Sequence, residues 1–425
     1  MRMIAGISLM VLGLTAAAQA AGVPADYPGK HYSVSPSNLP KPFITPAVDN
    51  RSKTVPRPEG VAPAAPKGFT VSVYASGLTN PRWMALAPNG DVFLAEPKSG
   101  SITILRGTDK ATTVATFATG FDRPHGLAFH DGALYVGDVN AVWKLAYKDG
   151  ALKAGARTRI TKQDFGGTEY HWTRNIAFSP SGQLYLAIGS GGNVEDTEAP
   201  TRASVQTVNA DGTLTPLATG TRNPVGIAFY PGTSTVWVTV NERDGYGDGL
   251  VPDYLTHLEK GGFYGWPYSY IGQNPDPTFG AKRPDMVAKA KTPDLLFQSH
   301  SAPIGLVFYE GTQFPADFKG DAIVSLHGSW NSGKPTGYKV VRVHFANGKP
   351  VGGYEDFLTG FAKTGTSPAQ VWGRPAGLLV AKDGSLLVAD DAGKTVWRVA
   401  YTGKEQRDRF SRHMMCRGIS CSACS

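Results

Sequence analysis

Apolar and polar residues alternate along the chain in a pattern that recurs six times. Each copy has a short apolar stretch, a turn that contains Gly or Asp, and a second stretch with apolar residues at alternate positions, as in PHGLAFHDGALYVGD from Pro124. This pattern is typical of a β-hairpin. The copies begin at Pro81, Pro124, Thr173, Pro224, Pro303 and Pro375. The repeat therefore predicts an all-β chain.

The number and spacing of the copies predict a six-bladed β-propeller over residues 67–403. The spacing as far as Pro224 fits one four-stranded blade per copy, and the longer spacings that follow indicate insertions within blades. Radial closure leaves no long free sheet edge. We expect the final segment WRVAYTG to pair with the early segment FTVSVYASGL and close the last blade.

The register of the copies places basic and hydrogen-bonding residues at one rim of the predicted central channel. The innermost strand of each blade lines the channel, so the residues just before these strands gather on one face. Those positions and their neighbours include Arg82, Arg123, His125, His171, Arg222, Asn223, His300 and Arg374. Arginine forks bind carboxylates through paired charge-assisted hydrogen bonds. The register predicts a pocket for an anionic ligand, with simple strand capping as the alternative.

Composition excludes several classes of protein. The chain of 425 residues holds 51 Gly and 31 Pro, which disfavour a helical bundle because both residues interrupt helices. The net charge is +8, of which residues 1–20 carry +1 and residues 404–425 carry +3. The remaining charge is too small to favour binding to nucleic acid.

Both ends of the chain differ from the repeat. Residues 1–20 (MRMIAGISLMVLGLTAAAQA) have the basic start, apolar core and A-x-A ending of a Sec-type signal peptide, and an uncleaved anchor is the alternative. They predict export to the periplasm or beyond, with no stable membrane insertion after cleavage. Residues 21–66 are rich in Pro and Ala and predict an extended arm. Residues 404–425 hold all three Cys and predict a disordered tail.

Several segments resemble a known enzyme family. TGTRNPVGIAFYPGTSTVWVTVNERDGYGD and KGGFYGWPY are similar to the core of soluble pyrroloquinoline quinone-dependent sugar dehydrogenases. HGSWNSGKPTGYKVVRVHF and WGRPAGLLVAKDGSLLVADDAGKTVWRV resemble the L-sorbosone dehydrogenase branch more closely. The resemblance implies an oxidoreductase that uses the quinone and calcium. Its substrate would be a sugar or sugar aldehyde, and an external quinone or cytochrome would accept the electrons.

The resemblance also implies roles for particular residues. His171 matches the histidine that removes the hydroxyl proton, and Asp248 matches an aspartate that steers the base or the substrate. The expected cofactor-binding residues are Arg82, Arg222, Asn223, His327, Trp330 and Arg374. The expected calcium donors are the backbone carbonyls of Arg243 and Asp244. His125 and His300, which the register places near the rim, are the expected substrate contacts.

Two departures from the family pattern keep other functions open. A second family arginine falls at Ala376, and a further active-site aspartate falls at Ser190. A calcium-dependent lactonase on a six-bladed propeller is one alternative, although that chemistry requires several carboxylate and Asn ligands around the metal. A non-catalytic binding propeller that has lost the cofactor is the other.

Overall fold

The computed structural model describes residues 22–167 and 170–403 and confirms the six-bladed β-propeller. The four main strands of each blade are antiparallel, and the innermost strands of neighbouring blades contact one another in a closed ring. We number the blades in the chain order of their innermost strands. The predicted signal peptide and the predicted Cys-containing tail lie outside the described residues. Within the described part of the chain, no helix has the length and apolar character needed to cross a membrane.

The strands of the first three blades follow one another with little interruption. Blade 1 contains Met84–Leu86, Val92–Glu96, Ser101–Arg106 and Thr113–Ala118. Blade 2 contains Gly126–His130, Ala133–Gly137, Val142–Ala146 and Arg157–Arg159. Blade 3 contains Arg174–Phe178, Leu184–Ile188, Ser204–Val208 and Leu214–Thr219, with Gly262–Phe263 added at its edge.

The later blades carry the insertions that the spacing predicted. Blade 4 contains Asn223–Phe229, Val236–Asn241, Tyr254–His257 and Leu295–Leu296. Blade 5 contains Pro303–Phe308, Ala322–Leu326, Lys339–Val343 and Tyr354–Leu358. The insertions include the hairpins Ser269–Tyr270 with Asn274–Pro275 and Phe345–Ala346 with Lys349–Pro350, the α-helix Pro284–Val287, and the 3-10 turns Gly280–Lys282 and Ala316–Phe318.

Blade 6 joins the two ends of the propeller. It contains Pro375–Val380, Leu386–Asp390 and Thr395–Tyr401, and its outermost strand is Phe69–Ser76 from the start of the propeller. The register pairs Phe69 with Tyr401 and Val73 with Trp397. The predicted closure is therefore correct, and it ties the first and last strands together without a disulfide.

The glycine in each P-x-G repeat allows the blades to approach at the centre. The N–H of Gly377 donates to the carbonyl of Arg82 at 2.7 Å, and a Cβ at Gly377 would lie 2.1 Å from that oxygen. The equivalent glycines of blades 2, 4 and 5 also pack against the next blade: Gly126, Gly226 and Gly305. Any larger residue would push the inner strands apart. These glycines thus bring the residues before each inner strand close together.

Aromatic side chains fill the spaces between blades. Phe93 of blade 1 packs edge-on against Phe117, Phe129 and Tyr147, with ring centroids 4.8–5.5 Å apart. Burial of each such ring contributes roughly 1.5–3 kcal/mol. The apolar residues that alternate along the strands therefore form apolar layers between neighbouring blades.

The Pro- and Ala-rich arm is docked on the propeller. His31–Tyr32 adds a strand to the edge of blade 5, and Lys53–Thr54 pairs in parallel with Gln370–Val371. A 3-10 turn at Pro36–Asn38 lies between these two arm strands. Between these points the arm passes over the loops at residues 246–249 and 330–333. The arm therefore reaches the face on which the inner strands begin.

Candidate active site

Residues that precede the innermost strands or follow the second strands form two clusters on one face of the propeller. The first, which we call the His171 cluster, contains His171, Ser190, Asn193, Arg222, Asn223 and Asp244. The second, the Arg82 cluster, contains Arg82, His327, Arg374 and Asp391. Trp172, beside His171 in the chain, has the Arg82 guanidinium 5.5 Å from its ring centroid, so the two clusters are neighbours.

His171 has a defined tautomer. Its Nδ1 lies 3.0 Å from the backbone carbonyl of Ser190, which can only accept, so Nδ1 carries the proton and donates. The Ser190 hydroxyl, also 3.0 Å from Nδ1, donates to the carbonyl of Gly192 and so accepts as well. Ser190 therefore orients His171 where the family pattern has an aspartate. The lone pair is left on Nε2, which has no hydrogen-bond partner among the described residues.

The surroundings keep His171 neutral. Burial, together with the nearby positive charge of Arg222, holds the pKa of the His171 ring well below its ordinary value of 6.5. The backbone φ of His171 is +26°, and that of Tyr170 is +46°. Such values are uncommon for non-glycine residues and cluster at functional sites. A neutral imidazole with a free Nε2 is equipped to accept a proton.

All five N–H donors of Arg222 make hydrogen bonds within the protein. Its guanidinium donates to the carbonyls of Asn193, Asn241 and Glu242, to Asn193 Oδ1 at 2.9 Å, and to Asp244 Oδ2 at 2.9 Å. Five N–H groups thus meet five acceptors. In this geometry Arg222 fixes the loop that carries Asp244, and its contact with a cofactor stays a prediction.

Asp244 is held from two sides. Its second carboxylate oxygen accepts from Asn331 Nδ2 at 2.6 Å, and the same amide nitrogen lies 3.2 Å from His300 Nδ1. The other ring nitrogen of His300 donates to the carbonyl of Gly247 at 3.0 Å. Both nitrogens of the buried His300 are therefore engaged. The structure places His300 behind Asn331, where it positions the loop, and its contact with a substrate stays a prediction.

The Arg82 cluster links blades 1, 5 and 6. Arg82 Nη1 donates to Asp391 Oδ2 at 2.7 Å, and His327 Nε2 donates to Asp391 at 3.0 Å. Arg374 donates to the carbonyls of His327 and Gly328. Burial would raise the pKa of Asp391, but His327, Arg82 and Arg374 hold it below its ordinary value. Burial and Arg374 lower the pKa of His327 to about 4. The cluster therefore has two cations, one anion and a neutral imidazole.

The N–H of His327 is engaged within the protein, and its contact with a cofactor stays a prediction. Its one N–H is directed at Asp391, so the neutral ring has no donor left for a ligand on Nε2. Asp391 itself was missed by sequence reasoning. The only signal was the pair of aspartates at the end of the strand Leu386–Asp390, and a pair of acids next to a turn is usually solvated.

Several buried polar atoms at this face lack a hydrogen-bond partner within the described residues. They are Arg82 Nε, both ring nitrogens of His125, Thr173 Oγ1, Thr221 Oγ1 and Asn223 Oδ1. Each residue lies at or just before an innermost strand of blades 1 to 4. An unsatisfied buried polar group costs free energy, so such atoms at one face mark a place for ordered water or a polar ligand. A planar ligand with several carboxylates fits this set, because Arg82 and Arg374 supply the positive charge.

His125 is an almost fully buried member of this set. Its ring lies 5.5 Å from Trp83 and 5.8 Å from Trp172, measured between centroids. Burial and the charge of Arg82 keep the pKa of His125 well below 6.5. A direct contact between His125 and a substrate stays a prediction, and the structure places the imidazole between two indole rings.

The predicted calcium donors, the backbone carbonyls of Arg243 and Asp244, stay a prediction. The carbonyl of Asp244 accepts from Asn193 Nδ2 at 2.9 Å, and the Arg222 guanidinium lies 2.9 Å from the Asp244 carboxylate. The Arg243 side chain is buried in ion pairs with Glu242 and Asp276. Among the described residues, no group of three or more His, Cys, Asp or Glu side chains is arranged to hold a metal.

A pocket of about 280 Å³ opens beside the His171 cluster. It is lined by Tyr170, Asn193, Asp244 and Trp330, together with arm residues 47–49. Tyr170 and Trp330 are 53% and 38% exposed, respectively. Asp248 lies outside this lining. Its carboxylate accepts from the N–H of Gly333, and its own N–H donates to Thr45. The structure thus brings Asp248 to the arm and the loop at 330–333, and its catalytic role stays a prediction.

Comparison with known proteins gives a consistent result. The sequence model of a family described as TrAA12-like matches residues 63–248 and 276–402. An uncharacterized protein of Borreliella burgdorferi is 28% identical over 355 residues, which cover 79% of this chain and 90% of that protein. A pyrroloquinoline quinone-dependent pyranose dehydrogenase of Coprinopsis cinerea is 26% identical over 340 residues, which cover 65% of this chain but only 44% of that enzyme.

Two solved structures share the fold. The holo form of the pyranose dehydrogenase PQQ domain from Coprinopsis cinerea has a TM-score of 0.69 at 21% identity, covering 82% of this chain and 99% of that chain. The calcium structure of a family AA12 carbohydrate-active enzyme from Trichoderma reesei has a TM-score of 0.65 at 20% identity, covering 80% of this chain and 97% of that chain.

Proposed function

Since the chain belongs to the TrAA12-like family, we propose that it is a pyrroloquinoline quinone-dependent sugar dehydrogenase. The observation that carries the proposal is the neutral His171, whose free Nε2 lies beside a set of unsatisfied polar atoms and an excess of buried positive charge. The Coprinopsis relative with a named activity is an enzyme of this type.

The quinone, when bound, supplies the two-electron acceptor that no side chain provides. Arg82 and Arg374 would hold its carboxylates. Arg82 keeps a buried Nε without a partner, and Arg374 Nη1 has no hydrogen-bond partner within the described residues. Asn223 Oδ1 would accept from the cofactor or from the substrate hydroxyl. Trp172 contributes an aromatic surface next to Arg82.

His171 acts as the general base in this proposal. As the C–H bond of the sugar carbon breaks, its hydroxyl proton passes to Nε2. Ser190 prevents the ring from turning, because its carbonyl holds Nδ1–H. Burial and the charge of Arg222 disfavour the imidazolium and so keep the base unprotonated before the reaction.

The finer assignments are also proposals. The substrate is a sugar or sugar aldehyde of the aldose or sorbosone type, and electrons leave to an external quinone or cytochrome. Residues 1–20 support action in the periplasm or outside the cell. The lactonase alternative is less favoured, because the carboxylates of Asp244 and Asp391 are each already paired with an arginine.

Cofactor binding tests the proposal directly. Titrating the purified apo-protein with pyrroloquinoline quinone, with and without calcium, should give saturable absorbance and tryptophan fluorescence changes. The loaded protein should reduce a dye when offered aldoses or osones. Arg82→Gln should weaken quinone binding about 10- to 100-fold, the loss expected for charge-assisted hydrogen bonds.

Arg106→Gln is the matched control for this titration. Arg106 is also on blade 1 but pairs with Asp91 at the far end of the strands, so its replacement should leave quinone affinity unchanged. A protein that binds no quinone under either calcium condition is not the enzyme proposed. Saturable binding without oxidation of any sugar would instead favour the non-catalytic alternative.

The pH dependence of turnover follows from the state of His171. The pKa of His171 is lowered by burial and by Arg222, so the base stays neutral as the pH falls from 8 through 6.5. We expect kcat/KM to be flat across that interval and to fall only below it. The measurement is kcat/KM of the loaded enzyme from about pH 4 to pH 8 at fixed ionic strength. An acid limb centred at or above 6.5 would contradict this assignment of the base.

A further inference from the structure

The pocket beside the His171 cluster has one wall that does not come from the propeller. Residues 47–49 of the arm line it, opposite Tyr170 and Trp330. Its volume of about 280 Å³ lies near the lower end of the usual range for small-molecule sites. Tyr170 precedes His171, so the pocket lies next to the base.

The arm is fixed at this point by contacts on both sides. Phe43 N–H donates to the carbonyl of Tyr246 at 2.9 Å, and Thr45 Oγ1 accepts from the N–H of Asp248 at 2.7 Å. On the far side, Asn50 donates through its backbone to Trp330 and through its side chain to Ser332. The segment between these anchors is therefore a rigid wall.

Asp49 is the polar group that this wall presents. Its carboxylate is 61% exposed and accepts from Arg51 Nε at 3.1 Å. The Arg51 guanidinium also lies 4.9 Å from the centroid of the Trp330 ring. Arg51 thus fixes Asp49 relative to Trp330 and leaves most acceptor positions of the carboxylate free.

We propose that Asp49 and the arm segment 47–49 determine which sugar the enzyme accepts. The carboxylate accepts hydrogen bonds from sugar hydroxyls remote from the reacting carbon, while Tyr170 and Trp330 contact the apolar face of the sugar ring. A carboxylate at a sugar-sized opening, flanked by two exposed aromatic rings, suits a ligand with hydroxyl edges and a C–H face. This inference rests on the proposed function and adds a substrate-contacting residue from outside the propeller.

A substrate panel tests this role. Asp49→Ala should raise the KM of the preferred sugar and its calorimetric dissociation constant about 10-fold, with kcat changed less than about twofold, because the lost bond is a uniform binding interaction. Deoxy analogues that lack the recognised hydroxyl should be poor substrates for the unmodified enzyme. Asp49→Ala should lower activity towards these analogues no further. For the preferred sugar, the KM of Asp49→Asn should lie between those of the unmodified enzyme and Asp49→Ala.

Glu59→Ala is the control, since Glu59 is an exposed acid on the same arm outside the pocket. The KM values of Glu59→Ala across the substrate panel should match those of the unmodified protein. Quinone affinity and the thermal midpoint are measured for every variant, so a failure of the proposed function appears as lost quinone binding or lost turnover in the unmodified protein. With that protein active, an unchanged KM and an unchanged panel in Asp49→Ala would overturn the inference, as would an effect on kcat alone.

Discussion

Replacing His171 with Gln should lower kcat by about two to four orders of magnitude, the usual contribution of a positioned general base. Gln is similar in size, and its amide can still donate to the Ser190 carbonyl, which accepts from Nδ1–H at 3.0 Å. It has no basic nitrogen to take the hydroxyl proton. Quinone affinity should be unchanged, because Arg82 and Arg374 carry that interaction. Single-turnover reduction of the bound cofactor by sugar, followed by absorbance, isolates the affected step.

His130→Gln is the matched control for this experiment. His130 ends the innermost strand of blade 2, and its ring stacks on Phe178 at 4.1 Å between centroids. Its replacement should leave both turnover and quinone binding intact. If His171→Gln retained full turnover, the base would have to be another group on this face. If it lost quinone binding as well, His171 would be a cofactor ligand.

The ring of blades could be predicted because its determinants are local. Each hairpin is encoded by alternation and turn residues within about fifteen positions, and the repeat glycines record the close approach of adjacent inner strands. The position of His171 followed from the same register. Its orientation did not, because the partner is a backbone carbonyl, and every residue has one.

The hydrogen-bond partners of each arginine could not be predicted from the sequence. A guanidinium has five donors, and the sequence does not say whether they meet a ligand or the protein. Arg222 meets backbone and side-chain acceptors from four neighbouring residues and Arg82 meets one carboxylate, although both precede innermost strands. The docking of the arm could not be predicted either, because its Pro-rich sequence has no alternation of apolar and polar residues that would identify a buried face.

Arg243 gives the largest expected effect on stability. Its guanidinium is fully buried and pairs with Glu242 at 2.9 Å and Asp276 at 2.7 Å, and it also donates to the carbonyls of Pro267 and Ser269. Burial opposes its charge, but Glu242 and Asp276 hold the pKa of Arg243 above its ordinary value. Arg243→Met should lower the free energy of unfolding by about 3–5 kcal/mol, because two buried carboxylates lose their counter-charge.

The same substitution separates two roles for this residue. If Arg243 served only through its carbonyl as a calcium donor, the Met side chain would leave stability in chelator unchanged. The ion-pair role predicts a loss of stability that is equal with calcium and with chelator, measured by urea unfolding. It also predicts that adding Glu242→Gln and Asp276→Asn to Arg243→Met recovers part of the loss, since the triple variant buries no unpaired charge. A loss below about 1 kcal/mol would mean that the carboxylates find other partners or become protonated at little cost.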